Sequence, residues 1–107
     1  MLDDPGCWAA LAVLGDRPVG VATVSAMRDI EHGRVGEIGD LYVLPEARGH
    51  GVARALVVAA AAWSRAIGCS ALLVTITAEG EREQGLVGFY DRLGFAVSGR
   101  MTAKRTL

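Results

Sequence analysis

Cysteine and histidine are scarce in this chain, and neither supports a staple or a metal centre. Two cysteines, Cys7 and Cys69, and two histidines, His32 and His50, are scattered without ligand spacing, so neither a disulfide framework nor a zinc module is expected. Isolated thiols of this kind fit a reducing compartment. Charge of one sign is missing too. Eleven Lys and Arg against twelve Asp and Glu leave a formal net charge of −1, which gives no electrostatic footprint for nucleic acid. There is no long apolar run: the longest, Ala55 to Trp63, falls far short of the ~20 residues that span a bilayer. The chain opens Met1-Leu2-Asp3-Asp4, acidic where a secretory leader is basic. A cytoplasmic chain with no metal, no membrane association and no nucleic acid is therefore expected.

What is present suits a packed domain. The chain has 107 residues, 51% of them hydrophobic, enough for one domain spanning residues 1–107 that buries roughly 60–70% of its unfolded surface. Trp8 to Leu14 and Val19 to Ala26 flank the turn signal Gly15-Asp16-Arg17-Pro18 and read as a hairpin. Polar Met27 to Arg34 reads as a loop. Val35 to Leu44 is the next strand, with Ile38 on one parity and Leu41 and Val43 on the other. That phase change beside Gly39 implies a β-bulge or splay that leaves main-chain groups unpaired. Gly51 to Ile67 is an alanine-rich helix capped at Gly68, its solvent stripe carrying Arg54 and Arg65. Ser70 to Thr77 is a buried strand and Ala78 to Gln84 a charged loop. Leu86 to Leu93 is a short helix, and Phe95 to Ser98 and Arg100 or Met101 to Thr106 are two last strands. The order β-β-β-α-β-α-β-β gives an α/β fold with a mixed sheet.

One segment speaks to function. Leu41-Tyr42-Val43-Leu44-Pro45-Glu46-Ala47-Arg48-Gly49-His50-Gly51-Val52-Ala53-Arg54 runs from a strand through a glycine-rich turn into the long helix. Backbone amides converge there at the positive end of a helix dipole, a setting that attracts phosphate. The turn is not a Walker loop, because no Gly-Lys-Ser/Thr follows. It is not Gly-x-Gly-x-x-Gly either, because Arg54 takes the third glycine's place.

Arg48-x-x-Gly51-x-Ala53, followed about forty residues later by Gly88-Phe89-Tyr90-Asp91-Arg92-Leu93-Gly94-Phe95, resembles the GNAT superfamily of acetyl-CoA-dependent N-acetyltransferases over roughly residues 8 to 107. The resemblance implies that amides from Gly49 through His50, Gly51 and Val52 to Ala53, with the charges of Arg48 and Arg54, hold the CoA pyrophosphate. It implies that Leu41 and Val43, flanking Tyr42, offer main-chain groups to the pantetheine arm and thioester, and that Tyr90 is the general acid. A phenol with an ordinary pKa near 10 holds its proton at neutral pH and can give it to a departing sulfur. Phe89 and Phe95 read as packing residues. Two departures stand out. Family members usually begin with a strand and one or two helices before the hairpin, whereas here the hairpin starts almost at residue 8. They also commonly carry Asn seven residues before the tyrosine, where Glu83 stands here.

The base and the acceptor are less determined. Glu37 is the first candidate base and Asp40 the second; their opposite parities let only one face the acceptor unless a bulge intervenes. Glu31 and His32 lie on a loop, and His50 sits where it would point outward. The acidic loop Glu79 to Glu83 and the carboxylates near residues 29 to 40 suit a cationic amine, an aminoglycoside-like small molecule ahead of a peptide. A second copy of the chain, as a homodimer, could close an open acceptor site. Two other readings are a non-catalytic acyl-CoA-binding module or fragment, and a nucleotide binder using the same turn.

Overall fold

The antiparallel hairpin of β1 (Cys7–Leu14) and β2 (Arg17–Asp29) leads into β3 (Gly33–Val43), which crosses through α1 (Val52–Ala66) to the parallel strand β4 (Ala71–Thr75). Two short helices, α2 (Ala78–Gln84) and α3 (Leu86–Arg92), then precede β5 (Ala96–Val97) and β6 (Thr102–Thr106). The computed structural model describes residues 5–31, 33–97 and 102–107; His32, Ser98, Arg100 and Met101, named above, lie outside them. The six strands form one mixed sheet in the order β1-β2-β3-β4-β6-β5. Only β3 and β4 run parallel, as the helical crossover between them requires.

α1 lies along one face of this sheet. Its inward side is Val52, Leu56, Val57, Ala60, Ala61 and Ser64, packed on Val24, Ile38, Leu72 and Val74 at one end and on Val19, Ala22 and Val43 at the other. Arg54, Val58 and Arg65 face solvent, the stripe expected from their spacing. Contact is close because the sheet is bare beneath the helix: a Cβ on Gly36 would stand 2.7 Å from Ser64 Oγ. Trp8 of β1 stacks on Trp63 of α1, with ring centroids 6.2 Å apart.

Two segments differ from the sequence reading. Met27 to Arg34 is not a loop throughout. β2 runs on to Asp29 and β3 begins at Gly33, pairing Met27 with Val35 and Arg28 with Arg34. This end of the hairpin extends past α1's cover, where Met27, Arg28 and Arg34 are exposed, so no apolar alternation marks it. Ala78 to Gln84 is a helix. The Thr77 hydroxyl caps it by accepting from the Gly80 amide at 2.9 Å, Glu79 and Glu81 occupy its first turn, and Gly85 ends it with φ +60°. Cap, acidic first turn and left-handed terminus fit a helix better than a loop; Gly80 and the density of charge hid it.

Candidate active site

The bulge anticipated at Gly39 sits there. Thr23 pairs with Asp40 and Val24 with Ile38, so Gly39 is the unpaired residue. Its effect is to turn both carboxylates the same way. Gly36 and Ile38 face α1 before the bulge, and Leu41 and Val43 after it. Glu37 and Asp40 therefore share the opposite face despite their parities. The Thr75 hydroxyl donates to Glu37 Oε1 at 3.3 Å, and the Thr23 hydroxyl donates to Asp40 Oδ2 at 2.7 Å. The sequence reading missed both threonines, because only the cross-strand register sets them beside the acids. Thr23 lay within a β-branched alternation that gave it no special place.

β3 also leaves β4 here. Their parallel pairing stops at Glu37 and Leu73, although β3 continues to Val43. Beyond that point β3 is paired on its β2 side alone. The Leu44 amide donates to Val19 on that side. Strand alternation then directs the main-chain groups of Val43 and Leu41 into the gap. Arg48 confirms the direction, since its Nε donates to the Val43 carbonyl at 3.0 Å while its guanidinium lies 5.6 Å from the centroid of the Tyr42 ring.

After β3, a 3-10 turn at Pro45–Ala47 leads to Gly49 and Gly51, with φ of +82° and +79°. Both lie in the left-handed region that side chains rarely adopt, and Gly51 is the residue from which α1 starts. The first intrahelical bond runs from the Ala55 amide to the Gly51 carbonyl, and no side chain caps the helix N-terminus. The amides of Val52, Ala53 and Arg54 consequently have no intrahelical acceptor and are available to an anion.

Two clefts meet at this place. The larger, about 700 Å³, lies between the start of α1 and the helix α3, with Leu41, Tyr42 and Val43 forming its inner wall. Arg48, Gly49, Gly51, Val52, Ala53 and Arg54 line it, so it gathers every expected cofactor residue except His50, which is exposed on the turn. Gln84, Leu86, Phe89 and Arg92 form the opposite wall. The smaller cleft, about 550 Å³, opens where β3 and β4 diverge and holds Glu37, Asp40, Ser25 and Thr75. Leu41, Tyr42 and Tyr90 line both clefts. Glu79, Glu81 and Glu83, expected near an acceptor, line neither; of α2 only Gln84 reaches a cleft, the larger one.

Tyr90 is buried between Phe89 and Phe95, edge to face with each at centroid distances of 5.1 and 5.5 Å. Loss of hydration there raises its phenol above the ordinary value of 10.0. The donor set fits a phosphorylated, long-armed ligand: helix amides without intrahelical acceptors, two guanidinium groups, an apolar lining of Leu41, Val43, Leu86 and Phe89, and the Tyr90 phenol.

The acetyltransferase (GNAT) family matches residues 1–95. No curated protein matches the chain. Among solved structures, an aminoglycoside N-acetyltransferase in complex with CoA superposes with TM-score 0.84 at 23% identity, over 92% of this chain and 75% of the other. A nourseothricin acetyltransferase gives 0.78 at 23% identity, over 95% and 66%. An aminoglycoside 6'-N-acetyltransferase from Acinetobacter haemolyticus gives 0.77 at 22% identity, over 91% and 68%. The chain thus spans about two thirds to three quarters of the length of these proteins, with which it shares a fold.

Proposed function

Since the chain belongs to the acetyltransferase (GNAT) family, we propose that it binds acetyl-CoA in the larger cleft and passes the acetyl group directly to a cationic small-molecule amine in the smaller one. The observation that carries this reading is the meeting of the two clefts at Tyr90, Leu41 and Tyr42. When bound, acetyl-CoA supplies an acyl carbon already activated by a thiolate leaving group. The chain's own groups do the rest. Amides of Val52, Ala53 and Arg54 and the charges of Arg48 and Arg54 hold pyrophosphate. Leu41 and Val43 present main-chain groups to the arm, the Val43 carbonyl also accepting from Arg48 Nε. Holding donor and acceptor at one meeting point removes much of the entropic part of the barrier.

Glu37 stands at the point where β3 and β4 part and takes a proton from the incoming ammonium; Asp40, on the same face, attracts further positive charge on the acceptor. Tyr90 gives its proton to the departing sulfur, and its burial keeps that proton in place through neutral pH. Two carboxylates with no basic residue among the smaller cleft's lining favour polycationic acceptors. The solved relatives named for aminoglycosides agree with that class.

The uncharged outer strand β1, with Leu11 and Val13 64% and 51% exposed, fits coverage by a second copy of the chain, and the free thiols of Cys7 and Cys69 fit the cytoplasm. Calorimetry with CoA tests the donor half. Wild type is expected to bind, and Gly51→Val, forced out of φ +79°, to lose at least about tenfold in affinity, the equivalent of 1.4 kcal/mol. Equal affinity in the two proteins would remove the turn from the site.

A further inference from the structure

α3 carries Tyr90 but is too short to hold itself. Its seven residues fall well below the ~12–15 at which isolated helices become even marginal in water. Two side chains from other elements grip its ends. Glu81, on α2, accepts the Val87 amide on Oε2 at 2.6 Å. Arg105, on β6, donates from Nη1 to the Leu93 carbonyl at 2.6 Å. The anion meets the helix amides and the cation meets its last carbonyls, so both bonds are charge-assisted and both agree with the helix dipole. Close approach is built in at each end. A Cβ on Gly80 would stand 2.6 Å from Leu86 Cδ1, and one on Gly94 would stand 3.0 Å from Arg105 Nη1. Neither Glu81 nor Arg105 lines either cleft. Arg54 also reaches the end of α3, at the Arg92 carbonyl, but it lines the larger cleft and so cannot separate the two roles.

We infer that Glu81 and Arg105 are positioning residues that fix the Tyr90 hydroxyl where the two clefts meet, acting through the ends of α3. This rests on the reading of Tyr90 as the proton donor. Steady-state rates and melting temperatures of the full chain test it. Glu81→Ala and Arg105→Ala are expected to lower kcat about tenfold or more, because small misplacements of a reacting group are costly, with KM for acetyl-CoA nearly unchanged. Glu81→Gln keeps an acceptor oxygen and Arg105→Lys keeps a donor cation, so each restores most of the rate. In a Tyr90→Phe background the alanine replacements have nothing left to position, and the residual rate changes less than about twofold.

The same fold-loss in both backgrounds overturns the inference while leaving Tyr90 as the acid. A fall in melting temperature with kcat intact overturns it as well. If Tyr90→Phe itself leaves kcat unchanged, the proton-donor reading fails and this inference with it. Should the alanine variants not fold, Glu81→Asp, one methylene short of Val87, carries the same expected loss against the recovery in Glu81→Gln.

Discussion

At the scale of single residues, the proposed reaction gives Tyr90 the proton transfer, and its burial has a consequence that can be measured without a substrate. The folded state raises the phenol's pKa, so the native protein holds this proton more tightly than the unfolded chain. The associated stability is fully present below about pH 10 and is lost as pH rises through the folded value. The stability of wild type to denaturant should therefore fall more steeply than that of Tyr90→Phe as pH rises above about 10; parallel curves would mean the phenol is not desolvated. Tyr90, Gly49 and Gly51 were legible in the sequence because a local motif names them. The shared orientation of Glu37 and Asp40 was legible only as a condition, since it depends on which residue the bulge at Gly39 leaves unpaired. Thr23 and Thr75 were not legible, because their partners come from another strand. His50 lay inside the motif but its side chain stands clear of the cleft.

Elements follow their local signals wherever burial writes a periodicity, and α1 is the plainest case. Its small residues let it settle on Gly36, yet one of them is polar: Ser64 is fully buried and its Oγ has no partner among the described residues. An unpaired hydroxyl in such a place costs roughly 1–3 kcal/mol, and alanine is the better helix former. Ser64→Ala is therefore expected to stabilise the protein by about 1 kcal/mol or more, read as a higher denaturant midpoint; a loss of stability would mean the hydroxyl is satisfied. Gly36→Ala should destabilise wild type through its 2.7 Å contact with Ser64 Oγ and do so less in the Ser64→Ala background. α2 escaped the sequence reading for the complementary reason. None of its residues is buried, so it has no apolar stripe, and only its cap at Thr77 and its stop at Gly85 mark it. The far end of the β2–β3 hairpin is exposed on both faces and silent in the same way.

On the scale of the molecule, a sheet covered by α1 on one face splays at β3 and β4, and the splay sets the larger cleft beside the smaller one with Tyr90 lining both. The hairpin's uncovered side carries exposed Leu11 and Val13 on an edge strand without charge, an arrangement that invites pairing. If a second copy covers it, light scattering will find a dimer for wild type and a monomer for Leu11→Glu; a monomeric wild type contradicts the dimer. No helix among the described residues is long and apolar enough to cross a membrane. The account as a whole turns on transfer across the Tyr90 junction. Thiol release from acetyl-CoA, followed with and without a polycationic amine, measures it directly. The prediction is release that depends on the amine and falls about a hundredfold or more in Tyr90→Phe with KM for acetyl-CoA retained. Binding of CoA with no amine-dependent release from any amine in a broad panel would contradict it.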